Sequence, residues 1–183
     1  MVLWTIFIIA AVLVIIFIYY YNRFAILGNR IDNSLAQIDV QLKKRADLVP
    51  NLISAVKGYM KHEKSIMTNV TEARKALLSA KDMPSKIKAG DNLQTALKSI
   101  FALAENYPNL KANENFLQLQ QELSAIEDKV AYSRQFYNDN ILDFNNSIKI
   151  FPGKLFASLF NVKGRPYLEI KESERAVPKV KFE

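Results

Sequence analysis

Cysteine is absent from the 183 residues, which excludes disulfides, thiolate catalysis and cysteine-based zinc sites. Histidine occurs once, as His62 in the run GYMKHEKS, with no sequence-local group of nitrogen or carboxylate ligands to complete a metal site. Its neighbour Glu63 makes no ready acid–base dyad, because adjacent helical positions point about 100° apart. P-loop, GxGxxG, HExxH and GxSxG patterns are missing. The carboxylates Asp39, Asp47, Glu72 and Glu127 lack the Glu-x-x-His pairing of a di-iron bundle. No catalytic residue, cofactor or metal is therefore assigned, and an enzyme is not expected. Glycine (5) and proline (6) are also few, while Ala, Leu, Lys, Gln and Glu, which keep their rotamer freedom in helices, are common. That balance predicts an all-α protein.

The most informative absence is charge: no ionisable acidic or basic side chain occurs before Arg23. The segment VLWTIFIIAAVLVIIFIYYY, residues 2–21, is continuously apolar. At about 1.5 Å per residue it matches a hydrocarbon core of roughly 30 Å. Trp4 near one end and Tyr19, Tyr20 and Tyr21 at the other are ring types that favour the headgroup boundary, and Arg23 follows as the first charge. A cleaved secretory signal would need a basic start and a small-residue cleavage site, and neither is present. Residues 1–22 are thus read as an uncleaved transmembrane helix. Because Lys and Arg follow the span and none precedes it, the expected topology in a cell membrane is N-terminus outside and residues 23–183 cytoplasmic.

From Phe24 the apolar residues become periodic. Phe24, Leu27, Ile31, Leu35, Ile38 and Leu42 recur at spacings of three and four and mark one helix face. Asp47 and Pro50 carry the chemistry of a helix start, so a turn is expected at residues 46–49; a kink in one long helix is the alternative, since Val49 keeps the register. A second helix is expected over about 50–81, a third from Pro84 to Tyr107, and a fourth over about 111–148. Short connections then favour an up-and-down antiparallel bundle of about four helices, residues 23–149. Pro152 and Gly153 end the pattern. The segment KLFASLF, residues 154–160, is a short amphipathic stretch that could dock on the bundle, on lipid or on a partner, and the tail within 150–183 is expected to be irregular.

The formal charge of +7 is unevenly spread: residues 22–81 hold 11 Lys and Arg against 5 Asp and Glu, residues 82–148 hold 6 against 9, and residues 149–183 hold 8 against 4. Basic segments near the span suit anionic lipid, whereas nucleic acid is not expected, because no recognition motif accompanies the charge. The run Lys43, Lys44 and Arg45, with Asp47 and Pro50, is the candidate partner contact. Some 20 residues of helix would hold it roughly 30 Å from the span, beyond the Debye length, so a protein is its expected reader. The bilayer, a protein partner and self-association are the three partner classes.

The stretch NRIDNSLAQIDVQLKKRADLVPNLISAVKGYMKHE, residues 29–63, resembles the signature of the LemA family. The C-terminal FPGKLFASLFNVKGRPYLEI and ESERAVPKVKFE are similar to that family's end, so the likeness covers nearly the whole chain. Two departures are an alanine at Ala46, where an aromatic residue is common, and Lys181, where an acidic one often occurs. The resemblance implies an N-terminal membrane helix, an external N-terminus and a helical bundle. It supplies no catalytic residues, and a related branch is associated with magnetosome membranes. The expected role is a membrane-anchored scaffold or adaptor, with an accessory subunit of a membrane enzyme or peptidase complex as the alternative.

Overall fold

A computed structural model describes residues 1–60 and 62–168. Among these the fold is all-α. The helices are α1 (Val2–Lys57), α2 (Lys64–Ser79), α3 (Met83–Ala104), α4 (Pro108–Lys111), α5 (Glu114–Lys149) and α6 (Gly153–Leu159). The chain forms two compact units, Asp32–Gln135 and, separately, Met1–Ile31 with the chain from Phe136 onward; α1 and α5 each contribute to both.

The central unit is a bundle closed by the predicted apolar stripes. Ile38, Leu42, Val49, Leu52 and Val56 of α1 are buried with Val70, Leu77, Leu93, Leu97, Ile100, Phe116, Leu123 and Val130. Polar pairs set the directions. Lys86 Nζ reaches Asp39 at 2.7 Å and Arg45 Nη1 donates to the Gly90 carbonyl at 3.3 Å, so the α1 and α3 partners advance together. Arg134–Asp91 (2.6 Å), Lys98–Glu127 (3.0 Å) and the Phe101–Phe116 rings (5.9 Å) run in opposite order along α3 and α5. These orders give the up-and-down arrangement. Helix α3 starts where its sequence says it should: Asp82 accepts from Ser85 N–H at 2.9 Å and Pro84 occupies the first turn.

Two expectations about chain reversal are corrected. No turn occurs at residues 46–49, because α1 continues through Pro50 to Lys57. An interior proline removes the hydrogen bond to the carbonyl four residues earlier, here that of the fully buried Ala46. In this protein Arg74 Nε of α2 donates to the Ala46 carbonyl at 2.8 Å, so the acceptor that Pro50 deserts is satisfied from outside the helix. The reversal falls instead between the end of α1 at Lys57 and the start of α2 at Lys64, and the helix expected over 50–81 is divided there. Gly58 lies in that break, Tyr59 and Met60 both donate to the Val56 carbonyl, and Met60 is buried. A further short helix, α4, intervenes before α5, and Asn113 caps α5 by accepting from Phe116 N–H at 3.0 Å.

The other unit contains the apolar start of α1. By length and composition α1 is the one described helix able to cross a membrane, and none of its most apolar stretch is buried within the structure. Here the end of α5, a cis Phe151–Pro152 bond and α6 bring the chain back against residues 17–24. Asn161, with φ of 52°, ends α6 in the left-handed region that asparagine tolerates. Residues 169–183, and with them Lys181 and most of the expected irregular tail, lie outside the described residues.

Candidate functional site

Aromatic rings build the first candidate site. Tyr20 stacks on Phe156 of α6 with centroids 4.9 Å apart and planes 7° from parallel. Phe160 meets Phe17 (4.9 Å), Tyr21 (5.6 Å) and Phe24 (6.3 Å) edge to face. Such pairs contribute roughly 0.5–1.5 kcal/mol each beyond the area they bury. Close approach of α6 requires Gly153: a Cβ there would fall 2.0 Å from the Ser147 carbonyl oxygen and 3.2 Å from Tyr20 Cε1. The KLFASLF segment therefore docks, and its target is the C-terminal end of the apolar run.

Of the residues assigned to the membrane interface, Tyr19, Tyr20, Tyr21 and Arg23 come together in this collar, while Trp4 stands exposed near the other end of the run. Arg23 Nη1 donates to the Tyr19 hydroxyl at 2.8 Å, and its guanidinium lies 5.9 Å from that ring. The chain after α6 is held to α5 by two asparagines. Asn145 accepts from Arg165 N–H (3.0 Å) and donates to the Arg165 carbonyl (2.9 Å). Asn138 does the same for Leu168, at 2.9 and 3.1 Å. Neither asparagine is a residue that sequence reasoning singled out. The signal available was two amides seven residues apart on one helix, which places them two turns apart on the same side.

The second candidate site lies in the bundle. Lys43 and Asp47 form a surface pair at 2.7 Å, and Lys44 and Pro50 are exposed. Arg45 does not join them. It is 2 % exposed and turned inward to Gly90, so the expected surface run of three cations is reduced to two. Burial lowers its pKa from the ordinary arginine value, Glu127 opposes that shift, Arg134 adds to it and Asp91 opposes it. The surroundings explain how a cation survives there. Asp91 pairs with Arg134, and Glu127 accepts from Gln94 and pairs with Lys98. Gln41 Oε1 and the Nε atoms of Arg45 and Arg134 are buried without hydrogen-bond partners, a cost of about 1–3 kcal/mol per group. His62 is exposed, and among the described residues no group of three or more His, Asp or Glu is placed to hold a metal.

Comparison with known proteins adds three findings. The sequence profile of the LemA family matches residues 34–182. Protein LemA of Metamycoplasma hominis is 27 % identical over 151 residues, covering 80 % of this chain and 68 % of that protein. Magnetosome protein MamQ of Magnetospirillum gryphiswaldense is 20 % identical over 177 residues, covering 82 % of this chain and 65 % of that one. The chain thus spans about two thirds of the length of each of these relatives.

Proposed function

This chain belongs to the LemA family, and from that premise we propose that it is a membrane-anchored helical scaffold or adaptor that acts by protein–protein interaction rather than by catalysis. Residues 2–21 are the span in this reading, with the N-terminus outside and the bundle in the cytoplasm. The observation that carries it is the character of α1: its residues 2–15 are apolar and exposed on all sides, and the same helix later acquires a one-sided stripe that a bundle covers. A side chain apolar all round a helix belongs in lipid or in a core, and no core encloses these. The relative named as a magnetosome protein agrees with membrane association.

The surface offered to a partner is the exposed cationic pair Lys43 and Lys44 with Asp47. An exposed ion pair contributes little to stability, about 0–1 kcal/mol, so reversing its charge tests interaction with small structural effect. Crosslinking in intact cells, followed by detergent extraction and mass spectrometry, should recover partner proteins with the native chain and lose them with Lys43→Glu/Lys44→Glu. Membrane attachment and the thermal melt should not change. Identical crosslinked partners for both chains would remove these residues from the interface. Orientation is tested separately with Lys88→Cys: since the native chain has no cysteine, an impermeant thiol reagent should label only after lysis, and labelling of intact cells would reverse the topology.

A further inference from the structure

The collar at the end of the apolar run has two features that a docked helix alone does not require. One is an outer face that remains apolar. With Phe156 and Phe160 turned to Phe17, Tyr20, Tyr21 and Phe24, the adjoining face about 100° round α6 presents Leu155 and Leu159, 61 and 67 % exposed, and Ile150 and Phe151 just before α6 are 62 and 77 % exposed. Four neighbouring large apolar side chains open to this extent mark an interaction surface. Their depth follows from packing. Because α6 lies against Phe17 and Tyr20, whatever surrounds the last turns of residues 2–21 also surrounds the outer face of α6.

The second feature is a groove of about 610 Å³ between α1 and the end of α5. Tyr19, Arg23 and Arg30 line it from α1, and Asp143, Ile150 and Phe151 from α5 and its extension. Arg23 and Arg30 are seven residues apart, hence two turns apart on one face. Arg23 is drawn toward the apolar run by its bond to the Tyr19 hydroxyl, which uses one of the five N–H donors of a guanidinium. Two guanidiniums against one carboxylate leave a single net positive charge, which one phosphodiester neutralises. Exposed Lys149, Lys154 and Lys163 lie along the same stretch of chain. Cations within a Debye length of an anionic surface are attracted to it.

We propose that this collar is a binding site for an anionic phospholipid: the phosphate lies between Arg23 and Arg30, and Ile150, Phe151, Leu155 and Leu159 enter the leaflet beside the acyl chains. Asp143 and Asn146 face the same groove and accept and donate hydrogen bonds to headgroup hydroxyls, so a glycerol headgroup fits better than a bare phosphate. The site rests on residues 2–21 being the span, and not on which side of the membrane the bundle occupies.

The full-length protein is reconstituted in nanodiscs of phosphatidylcholine with equal parts of phosphatidylglycerol and phosphatidylethanolamine, and the lipids it retains are counted by native mass spectrometry. Phosphatidylglycerol should be enriched several-fold over the other two, and Arg23→Gln/Arg30→Gln should abolish the enrichment while the helical circular dichroism stays unchanged. Equal retention of the three lipids, or enrichment that survives the double variant, would overturn the proposal. So would displacement of the lipid by millimolar inorganic phosphate, which would identify a phosphate site instead. A second readout separates the collar from the span. Trp4 is the native chain's single tryptophan, and a Trp4→Phe/Phe151→Trp chain moves the probe to the collar. Brominated acyl chains should quench both probes. Quenching of Trp4 alone would leave the span standing and defeat the collar site, whereas quenching of neither would defeat both.

Discussion

The two compact units are held together by different means. In the unit Asp32–Gln135 the stripes of four helices are buried against one another, and charged side chains are drawn in with partners: Arg45 beside Asp91 and Glu127, and Arg134 on Asp91. In the unit built on Met1–Ile31 an apolar stripe is buried too, by Phe24, Leu27, Ile31, Ile141, Phe144 and Ile148, but rings on rings and asparagine amides on backbone hold α6 and the chain after it, while most of residues 2–21 are left exposed. The first arrangement answers to water, where burying apolar surface is the driving force and a buried charge demands a partner. The second leaves the apolar surface of residues 2–15 outward, where an apolar solvent would cover it.

The largest effect should come from unbalancing the buried charges. Asp91→Asn keeps the shape but leaves Arg134 and the nearby Arg45 without their shared carboxylate, and should cost about 3 kcal/mol. The melt of the detergent-solubilised chain should fall by about 10 °C or more. A shift below a degree or two would mean that the network contributes nothing to holding the bundle. Gly153→Ala acts on the other unit. Its methyl must displace the Ser147 carbonyl or Tyr20, at about 1–3 kcal/mol, so trypsin should cut at Lys154 and Lys163 faster while the bundle's melt is preserved. Unchanged cleavage would show that α6 is not held as described.

Next in size is Arg74→Met, which strips the Ala46 carbonyl of its donor at a cost of about 1–3 kcal/mol. In a Pro50→Ala background residue 50 regains its N–H, and the same substitution should cost measurably less. Equal losses in both backgrounds would separate Arg74 from the proline. The smallest effect concerns pH. The Ser85 backbone N–H, with its hydroxyl, holds the Asp82 pKa below its ordinary value. The cap therefore stabilises fully above the unfolded-state pKa, and its contribution is lost as pH falls from there through the lower folded value. Asp82→Ser retains a cap without titrating, so the acid slope of the melting temperature should flatten slightly. An unchanged slope would exclude Asp82 as its source.

Local pattern made the apolar run, the stripes and the start of α3 legible, because each depends on residues within a turn or two of one another, whereas the helix expected from about 111 begins at Glu114 after the short α4. Pro50 was misleading for the opposite reason. Its local chemistry is that of a helix start, and what keeps α1 intact is Arg74, 24 residues further on and supplied by another helix. Arg45 was read as the end of a surface run since its neighbours Lys43 and Lys44 are exposed, although a position three after the buried Leu42 falls on the inward face. The aromatic content of KLFASLF announced a docking segment but not its target, which a non-local fold-back decides. Asn138 and Asn145 carried no motif, because side-chain amides pairing with an extended backbone leave only a two-turn spacing behind.

Whether the two units live in different solvents is tested most directly by spin labels at single cysteines replacing Ile8, Val14, Lys88 and Tyr132, all exposed, in the full chain reconstituted into vesicles. Labels at 8 and 14 should collide readily with dissolved oxygen and hardly with a water-soluble nickel complex, and labels at 88 and 132 should show the reverse. Nickel reaching 8 and 14 as freely as 88 and 132 would contradict the account.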